Sequence, residues 1–224
     1  MQINQVFDEL YDDYTAKIVR WVPHYRQMVQ EVASYLPGDW RAERILDLGC
    51  GNGNVTQALR QRFPEAQYHL VDASAEMLQG CRQRFAGQGA FSYEQCFFQD
   101  LDLPAASYDL IVACLSIHHL PGEEKRLFLQ RLPRALRSGG YFLYSDLMID
   151  KTATDHPAHL GYWKNYAEAR GTTAEEWQFV MDHYDEYDYP ASLKRQGEWL
   201  EGAGFREVVP AYQERWWTTL RCGV

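Results

Sequence analysis

Two stretches of the chain carry side chains that could do chemistry. "ILDLGCGNG", residues 45–53, runs an apolar segment into a glycine-rich turn. Glycine tolerates positive φ and lets a ligand approach the backbone closely. Asp47 stands two residues before Gly49 and aims an acid at that turn. Such an acid would repel a pyrophosphate but suits a cation or a set of hydrogen-bond donors. Asp72 ends the next apolar run, nineteen residues after Gly53, where a carboxylate can accept both hydroxyls of a ribose. The second stretch is "ACLSIHHLPGEEK", residues 113–125, with His118 and His119 adjacent just past an apolar run. Histidine ionises near neutrality and serves as a general base or a metal ligand. Adjacent side chains diverge, so one of the pair is expected to face a pocket. His119 is the candidate base, and His118 is a support for the loop. The plainer alternative is that both bond to backbone before the next helix.

The dinucleotide fingerprint G-x-G-x-x-G is incomplete, because Asn54 stands where its third glycine would fall. The site is therefore suited to an adenosine without phosphates that carries a positive group. S-adenosylmethionine has that character, with a ribose, an ammonium and a sulfonium. Asp146, at the end of a later apolar run, is a second catalytic candidate, for positioning an acceptor; its alternative is a helix cap. "TDHPAH" supplies Asp155, His156 and His159, which are metal-ligand types. A zinc site needs more ligands at fixed geometry, and the expectation is no metal.

These residues need elements to position them. Residues 5–35 read as helical, with Val6, Leu10, Tyr14, Tyr25, Met28, Val29 and Val32 at helical spacing and Pro23 dividing the region. From Arg44 the pattern alternates. "RILDL", "QYHLVD", "FSYEQCFFQD", "YDLIVACL" and "YFLYSDLMI" read as strands. "VTQALRQRF", "AEMLQGCRQRF" and "GEEKRLFLQRLPRALRS" read as helices between them. That alternation implies an α/β fold of right-handed β-α-β units with a parallel sheet. Residues 151–190 are rich in aromatic and acidic residues and read as a helical lid over the strand ends, with Asp182, Asp185, Glu186 and Asp188 as a solvated face. "ASLKRQGEWLEGAG" is a helix stopped by glycine, and "FREVVPAYQ" with "RWWTTLRCGV" forms an antiparallel hairpin. The expected organisation is one globular unit: a helical cap over 1–40, a cofactor-binding core over 41–150, the lid over 151–190, and the end of the sheet over 191–224.

"ILDLGCGNGNVTQAL", "VDASAEML", "FFQDLDLP", "YDLIVACLSIHHL" and "LRSGGYFLYSDL" resemble, in order and spacing, the motifs of class I S-adenosylmethionine-dependent methyltransferases. "WVPHY" and "GFREV" resemble a narrower group of small methyltransferases and carboxy-S-adenosylmethionine synthases of tRNA wobble modification. The resemblance implies a Rossmann-like fold whose seven-stranded sheet ends in one antiparallel strand. It implies that Gly49, Cys50 and Gly51 contact the methionine part of the donor and that Asp47 orients the loop or the ammonium. It places Asp72 and Ala73 at the ribose, Asp100 and Leu101 at the adenine, and Cys114 and Leu115 near the sulfonium. Tyr25 would close the pocket. The implied reaction is in-line methyl transfer to oxygen, nitrogen or carbon, with S-adenosylhomocysteine as product. The synthase reading would need a cation for an extra carboxylate. Where the synthases carry an arginine, six residues before the phenylalanine of "AGF", this chain has Trp199, and Arg195 lies on a different helical face. A non-catalytic S-adenosylmethionine binder is the reading from a different class.

The formal net charge of −9 argues against a broad phosphate-tracking surface, so nucleic acid is disfavoured as a partner. There is no apolar run of membrane-spanning length. The acidic start "MQINQVFDELYDDY" lacks a basic-then-apolar signal, and a cytoplasmic protein is expected. Cysteines 50, 81, 96, 114 and 222 form no C-x-x-C pair, and Cys50, Cys96 and Cys114 read as buried thiols. The expected partner is a small-molecule acceptor with an apolar or planar face, and an exposed aromatic patch would favour a homodimer.

Overall fold

A computed structural model describes residues 3–10 and 13–224. The chain opens with α1 (Ile3–Leu10) and α2 (Tyr14–Trp21), followed by short π and 3-10 turns over Arg26–Gln30 and Val32–Tyr35. Then come β1 (Arg44–Leu48), α3 (Asn54–Arg62), β2 (Gln67–Asp72), α4 (Ala75–Arg84), β3 (Phe91–Gln95) and β4 (Tyr108–Cys114). A 3-10 turn over Ile117–His119 leads to α5 (Gly122–Leu129), α6 (Leu132–Ala135) and β5 (Leu136–Leu147). The segment expected as a lid holds α7 (His156–Glu168) and α8 (Ala174–Tyr187), and α9 (Leu193–Ala203), β6 (Glu207–Glu214) and β7 (Trp217–Gly223) follow.

The sheet has seven strands in the order β3-β2-β1-β4-β5-β7-β6. β7 runs antiparallel to both β5 and β6, while β1 to β5 pair in parallel. The strand order reverses between β1 and β4, so a crevice opens beyond their carboxyl ends, where open α/β sheets bind ligands. Two apolar clusters flank the sheet. One packs Ile45, Leu70, Leu110 and Leu143 against α3 and the N-terminal helices; the other packs Leu46, Val71, Ile111 and Phe142 against α5, α6 and α9. Alternate residues of each strand serve opposite faces.

Three boundaries differ from the sequence expectation. β3 stops at Gln95 rather than continuing to Asp100, and the next residues turn toward the crevice. The helix expected over "GEEKRLFLQRLPRALRS" is two helices, because Pro133 lacks the N–H a continuous helix would use and instead lies at the start of α6. β5 starts at Leu136, and a register irregularity opposite Tyr108 and Leu110 absorbs "RSGG". The lid turns its aromatic side chains inward. Trp163, Trp177 and Tyr184 are buried, and the exposed large aromatics among the described residues are Phe179 and Tyr189. Arg20 of α2 forms an ion pair with Glu176 of α8 at 2.7 Å, fastening the cap to the lid. Among the described residues no helix is long and apolar enough to cross a membrane.

Candidate active site

The crevice divides into two adjoining cavities. The first, about 220 Å³, lies over the glycine turn. Gly49, Gly51 and Gly53 take φ of +66°, +52° and +83°, the left-handed region that favours glycine. The amides of Gly49 and Cys50 donate to the Val71 carbonyl at 2.8 and 3.0 Å, which ties the turn to β2. Asp72 then accepts from Gly51 N at 2.8 Å through Oδ2 and from Ser74 N at 2.9 Å through Oδ1. Burial raises its pKa, and the backbone donors work against that rise.

Of the residues expected to hold the donor, Gly49, Gly51, Asp72, Ala73 and Leu115 line this cavity. The others are placed elsewhere. Tyr25 is buried in the core, with its hydroxyl accepting from Asn54 Nδ2 at 2.7 Å. The wall it was expected to form comes instead from Phe7 and Tyr14. Cys114 faces the other side, its thiol donating to the Met28 carbonyl at 3.4 Å. Leu115 turns back into the cavity because it adopts φ +54°. Asp100 is exposed and Leu101 is packed in the apolar cluster under the sheet. Because β3 is short, residues 96–99 form that border, with Phe97 and Phe98 supplying planar walls. Cys50 and Asp47 lie behind the turn, 5% and 1% exposed. Asp47 Oδ2 accepts from Thr56 Oγ1 at 2.5 Å, while its Oδ1 has no hydrogen-bond partner. Burial pushes the Asp47 pKa to about 7, against the opposing bond from Thr56.

The second cavity, about 90 Å³, is an apolar chamber under the lid, walled by Trp21, Trp163 and Trp217. Phe7, Tyr14, Leu115 and His119 line both cavities and form the partition. Polar groups gather at one end of the chamber: His118, His119, His183 and Asp188. No lysine or arginine is among its described lining residues.

Asp188, expected on a solvated face, is 7% exposed and central to this group. Trp177, Val180, Tyr184 and Asp188 are all buried, at positions three, seven and eleven after the first, so Asp188 ends the apolar stripe of α8. That spacing was the signal. His119 Nδ1 lies 3.1 Å from Asp188 Oδ1, and Nε2 of His118 and of His183 each lie 3.5 Å from the same oxygen. These are ion-pair distances, the shortest of them from His119. Asp146 does not reach either cavity. It is fully buried and binds His118 twice, Oδ1 to Nδ1 at 2.6 Å and Oδ2 from the backbone amide at 3.1 Å. Both bonds fix the orientation of His118.

Burial acts on all four groups at the chamber end. It lowers the pKa of His119, helped by neighbouring His118, and it lowers His183 to about 4. For His118 burial is outweighed by Asp146 and Asp188, and the pKa rises. For Asp188 the imidazoles outweigh burial and hold the carboxyl near 2. The ligand-type atoms of His118, His119 and Asp188 all lie within 4.8 Å of one another. Asp155, His156 and His159 do not converge. Asp155 accepts from Trp216 Nε1 at 3.0 Å, His156 pairs with the Tyr184 hydroxyl at 2.9 Å, and His159 is buried among tryptophans.

A model described as a methyltransferase domain matches residues 45–140. The chain is 40% identical over 198 residues to a trans-aconitate 2-methyltransferase of Azoarcus sp. (strain BH72), covering 77% of this chain and 72% of that enzyme. It is 27% identical to a carboxy-S-adenosyl-L-methionine synthase of Ectopseudomonas mendocina (strain ymp), covering 88% of this chain and 83% of the synthase. A fatty-acid O-methyltransferase of Mycolicibacterium smegmatis matches at 34% identity over 48% of this chain, which spans only 38% of that enzyme's length. Among solved structures, a SAM-dependent methyltransferase from Thermotoga maritima shares the fold at a TM-score of 0.65 and 15% identity, over 99% of both chains.

Proposed function

The chain belongs to the S-adenosylmethionine-dependent methyltransferases, and on that premise we propose that it methylates a small, uncharged acceptor with an aromatic or apolar body. One observation carries this reading: two adjoining cavities, only one of them over the glycine turn, share a wall. The cavity over the glycine turn offers Asp72 to a ribose and planar side chains to an adenine. The chamber behind Leu115 and His119 offers tryptophan faces and no lysine or arginine among its described lining residues. A methyl group on the donor sulfur, at the partition, would point into the chamber. In-line transfer then needs alignment and exclusion of water, which bound geometry supplies.

The character of the chamber bears on the named relatives. Trans-aconitate and the carboxylated donor of the synthases carry carboxylates, and burying one without a cation is costly. A small neutral alcohol, thiol, phenol or amine suits the chamber better. His119, on the shared wall, is given the acceptor side. The test is incubation of the protein with labelled S-adenosylmethionine and a panel of neutral and anionic acceptors. Label transferred to a neutral acceptor is the expected result; a carboxylated donor adduct, or transfer confined to polycarboxylates, would refute the reading. His119→Ala is expected to lower turnover about 100-fold or more, in the range that proton-handling groups contribute. Its affinity for S-adenosylhomocysteine, read by calorimetry, should stay unchanged; unchanged turnover removes His119 from the acceptor side.

Asp47 gives donor binding a pH dependence. Its unpartnered Oδ1 and its pKa of about 7 leave it largely protonated in mildly acid solution. Asp47 lies behind the turn and does not line the cavity, so it acts across the turn: a donor ammonium in front of it favours the carboxylate, and binding draws off part of the proton below that pKa. S-adenosylhomocysteine affinity is expected to weaken by at most roughly tenfold per pH unit as pH falls below about 7 and to level off above it. Asp47→Asn should flatten the profile; an unchanged slope in that variant would assign the titration to another group.

A further inference from the structure

The acid–imidazole group at the chamber end is more than a base needs. We propose that His118, His119 and Asp188 bind a divalent zinc ion, with an open coordination position facing the apolar chamber. The ligand atoms are His118 Nε2, His119 Nδ1 and Asp188 Oδ1. The two nitrogens stand 3.5 and 3.1 Å from that oxygen. Ligands held about 2.0–2.1 Å from a tetrahedral zinc lie about 3.3 Å from one another, close to these two spacings, and all three ligand atoms lie within 4.8 Å of one another.

Asp188 supplies the independent observation. It is 7% exposed, and three imidazole nitrogens stand 3.1 to 3.5 Å from its Oδ1. A cation held between that oxygen and the imidazoles would satisfy the buried carboxylate and the nitrogen lone pairs together. The surroundings also fit. Asp146 Oδ1 holds His118 Nδ1 at 2.6 Å, which puts the proton on Nδ1 and leaves the Nε2 lone pair free. This is the carboxylate–histidine–metal arrangement that fixes the tautomer of a ligating imidazole. For His119 to ligate through Nδ1 its proton must sit on Nε2, and the 3.3 Å contact to the Tyr187 carbonyl is given up.

The two ligand-bearing segments are tied together without the ion. Tyr189 N donates to the His118 carbonyl at 2.8 Å, and the buried Lys125 ammonium donates to the Tyr189 carbonyl at 2.5 Å. The end of α8 and the turn after β4 are therefore already in register. Two imidazoles and one carboxylate with an open position also suit ferrous iron. Methyl transfer changes no metal oxidation state, and the redox-inert ion is the one it needs.

The role of the ion rests on the chamber being the acceptor site; its binding does not, and because the ion would itself supply a cation for a carboxylate, the preference for neutral acceptors belongs to the metal-free chamber. An acceptor hydroxyl or thiol on the open position becomes more acidic and releases its proton to solvent. Its lone pair forms the bond to the methyl carbon, and the carbon–sulfur pair returns to the donor sulfur. The products are methylated acceptor, S-adenosylhomocysteine and one proton. His119 then acts as a ligand in place of a free base.

The test is metal binding by the full chain after chelator treatment, with Co²⁺ as the probe. One cobalt per chain with a visible d–d band is expected, displaced by Zn²⁺. Asp188→Asn should abolish the band. Asp146→Asn, which changes only what holds His118, should weaken cobalt about 10–100-fold. Both variants should bind S-adenosylhomocysteine as the parent does. Absence of the band, or a band that survives Asp188→Asn, while S-adenosylhomocysteine still binds, overturns the site. If Asp188→Asn does not fold, the X-ray absorption spectrum of the zinc-loaded parent decides: two imidazoles and an oxygen support the site, and sulfur ligation overturns it. Cobalt bound normally with no affinity for S-adenosylhomocysteine would instead sink the methyltransferase reading and leave the metal site standing.

Discussion

Asp72→Ala is expected to weaken S-adenosylhomocysteine binding by about 100-fold or more. The carboxylate does two jobs. Its two oxygens already accept from Gly51 N and Ser74 N at 2.8 and 2.9 Å, bracing the glycine turn against the start of α4. Each oxygen keeps a second lone pair for the hydroxyls of a ribose. Bonds to a charged acceptor contribute about 1.5–3 kcal/mol each, so losing the ribose pair alone amounts to about 3 kcal/mol or more. The turn loses its brace in the same step. Asp72→Asn separates the effects. Its amide keeps the shape and one acceptor oxygen but presents a donor to the second amide, so an intermediate loss is expected. Calorimetry with S-adenosylhomocysteine reads both variants, and an Asp72→Ala protein that binds within a few-fold of the parent would falsify the ribose assignment.

The sheet was legible because its signal is local. Strands buried on both faces read as continuous apolar runs, such as "LIVAC", and the glycine turns punctuate them. The end hairpin was legible for the same reason. The split of the helix at Pro133 was a local signal too, outweighed in the reading by a long helical pattern on both sides. The walls of the site were harder. Phe7, Tyr14 and Tyr25 all recur at helical spacing, and spacing says only that a side chain turns inward. Phe7 and Tyr14 meet the cavity while Tyr25 meets Asn54, and that difference is set by how the cap helices dock. Leu115 was expected beside Cys114 at the donor, yet a strand sends neighbours to opposite faces. The left-handed backbone at Leu115 is what turns it into the partition. Asp188 was hidden by its company. Asp182, Asp185 and Glu186 are exposed, and composition groups Asp188 with them, whereas the stripe from Trp177 through Tyr184 separates it. A charged residue on an apolar stripe needs a partner, and the partners, His118 and His119, lie far away in sequence.

Gly49→Ala is expected to remove donor binding and to destabilise the fold by about 3 kcal/mol, the scale of overpacking combined with an unfavourable backbone. Two separate penalties act at this position. The residue sits at φ +66°, where a Cβ is strained. That Cβ would also fall 2.4 Å from Ser116 Cβ and 2.9 Å from Ser116 Oγ. Ser116 cannot swing aside freely, because its hydroxyl donates to the Leu48 carbonyl at 2.8 Å and it directly follows Leu115 of the partition. Gly51 isolates the first penalty. It has φ +52°, but the nearest atom to its added Cβ is Tyr14 Cε1 at 3.9 Å. Gly51→Ala should therefore destabilise by about 1 kcal/mol, the left-handed cost alone. Gly38, with open space around it and no positive φ, should tolerate alanine within about 0.5 kcal/mol. The collision can be tested directly with Ser116→Gly. In the Gly49→Ala background it should return part of the lost stability, although alone it removes a buried hydrogen bond and destabilises. A double-mutant cycle by denaturant unfolding would show this as a coupling of opposite sign to the single effects. Additive changes would mean the turn yields at Gly49 without pressing on Ser116. The link between the glycine turn and the partition would then be too loose to align donor with acceptor.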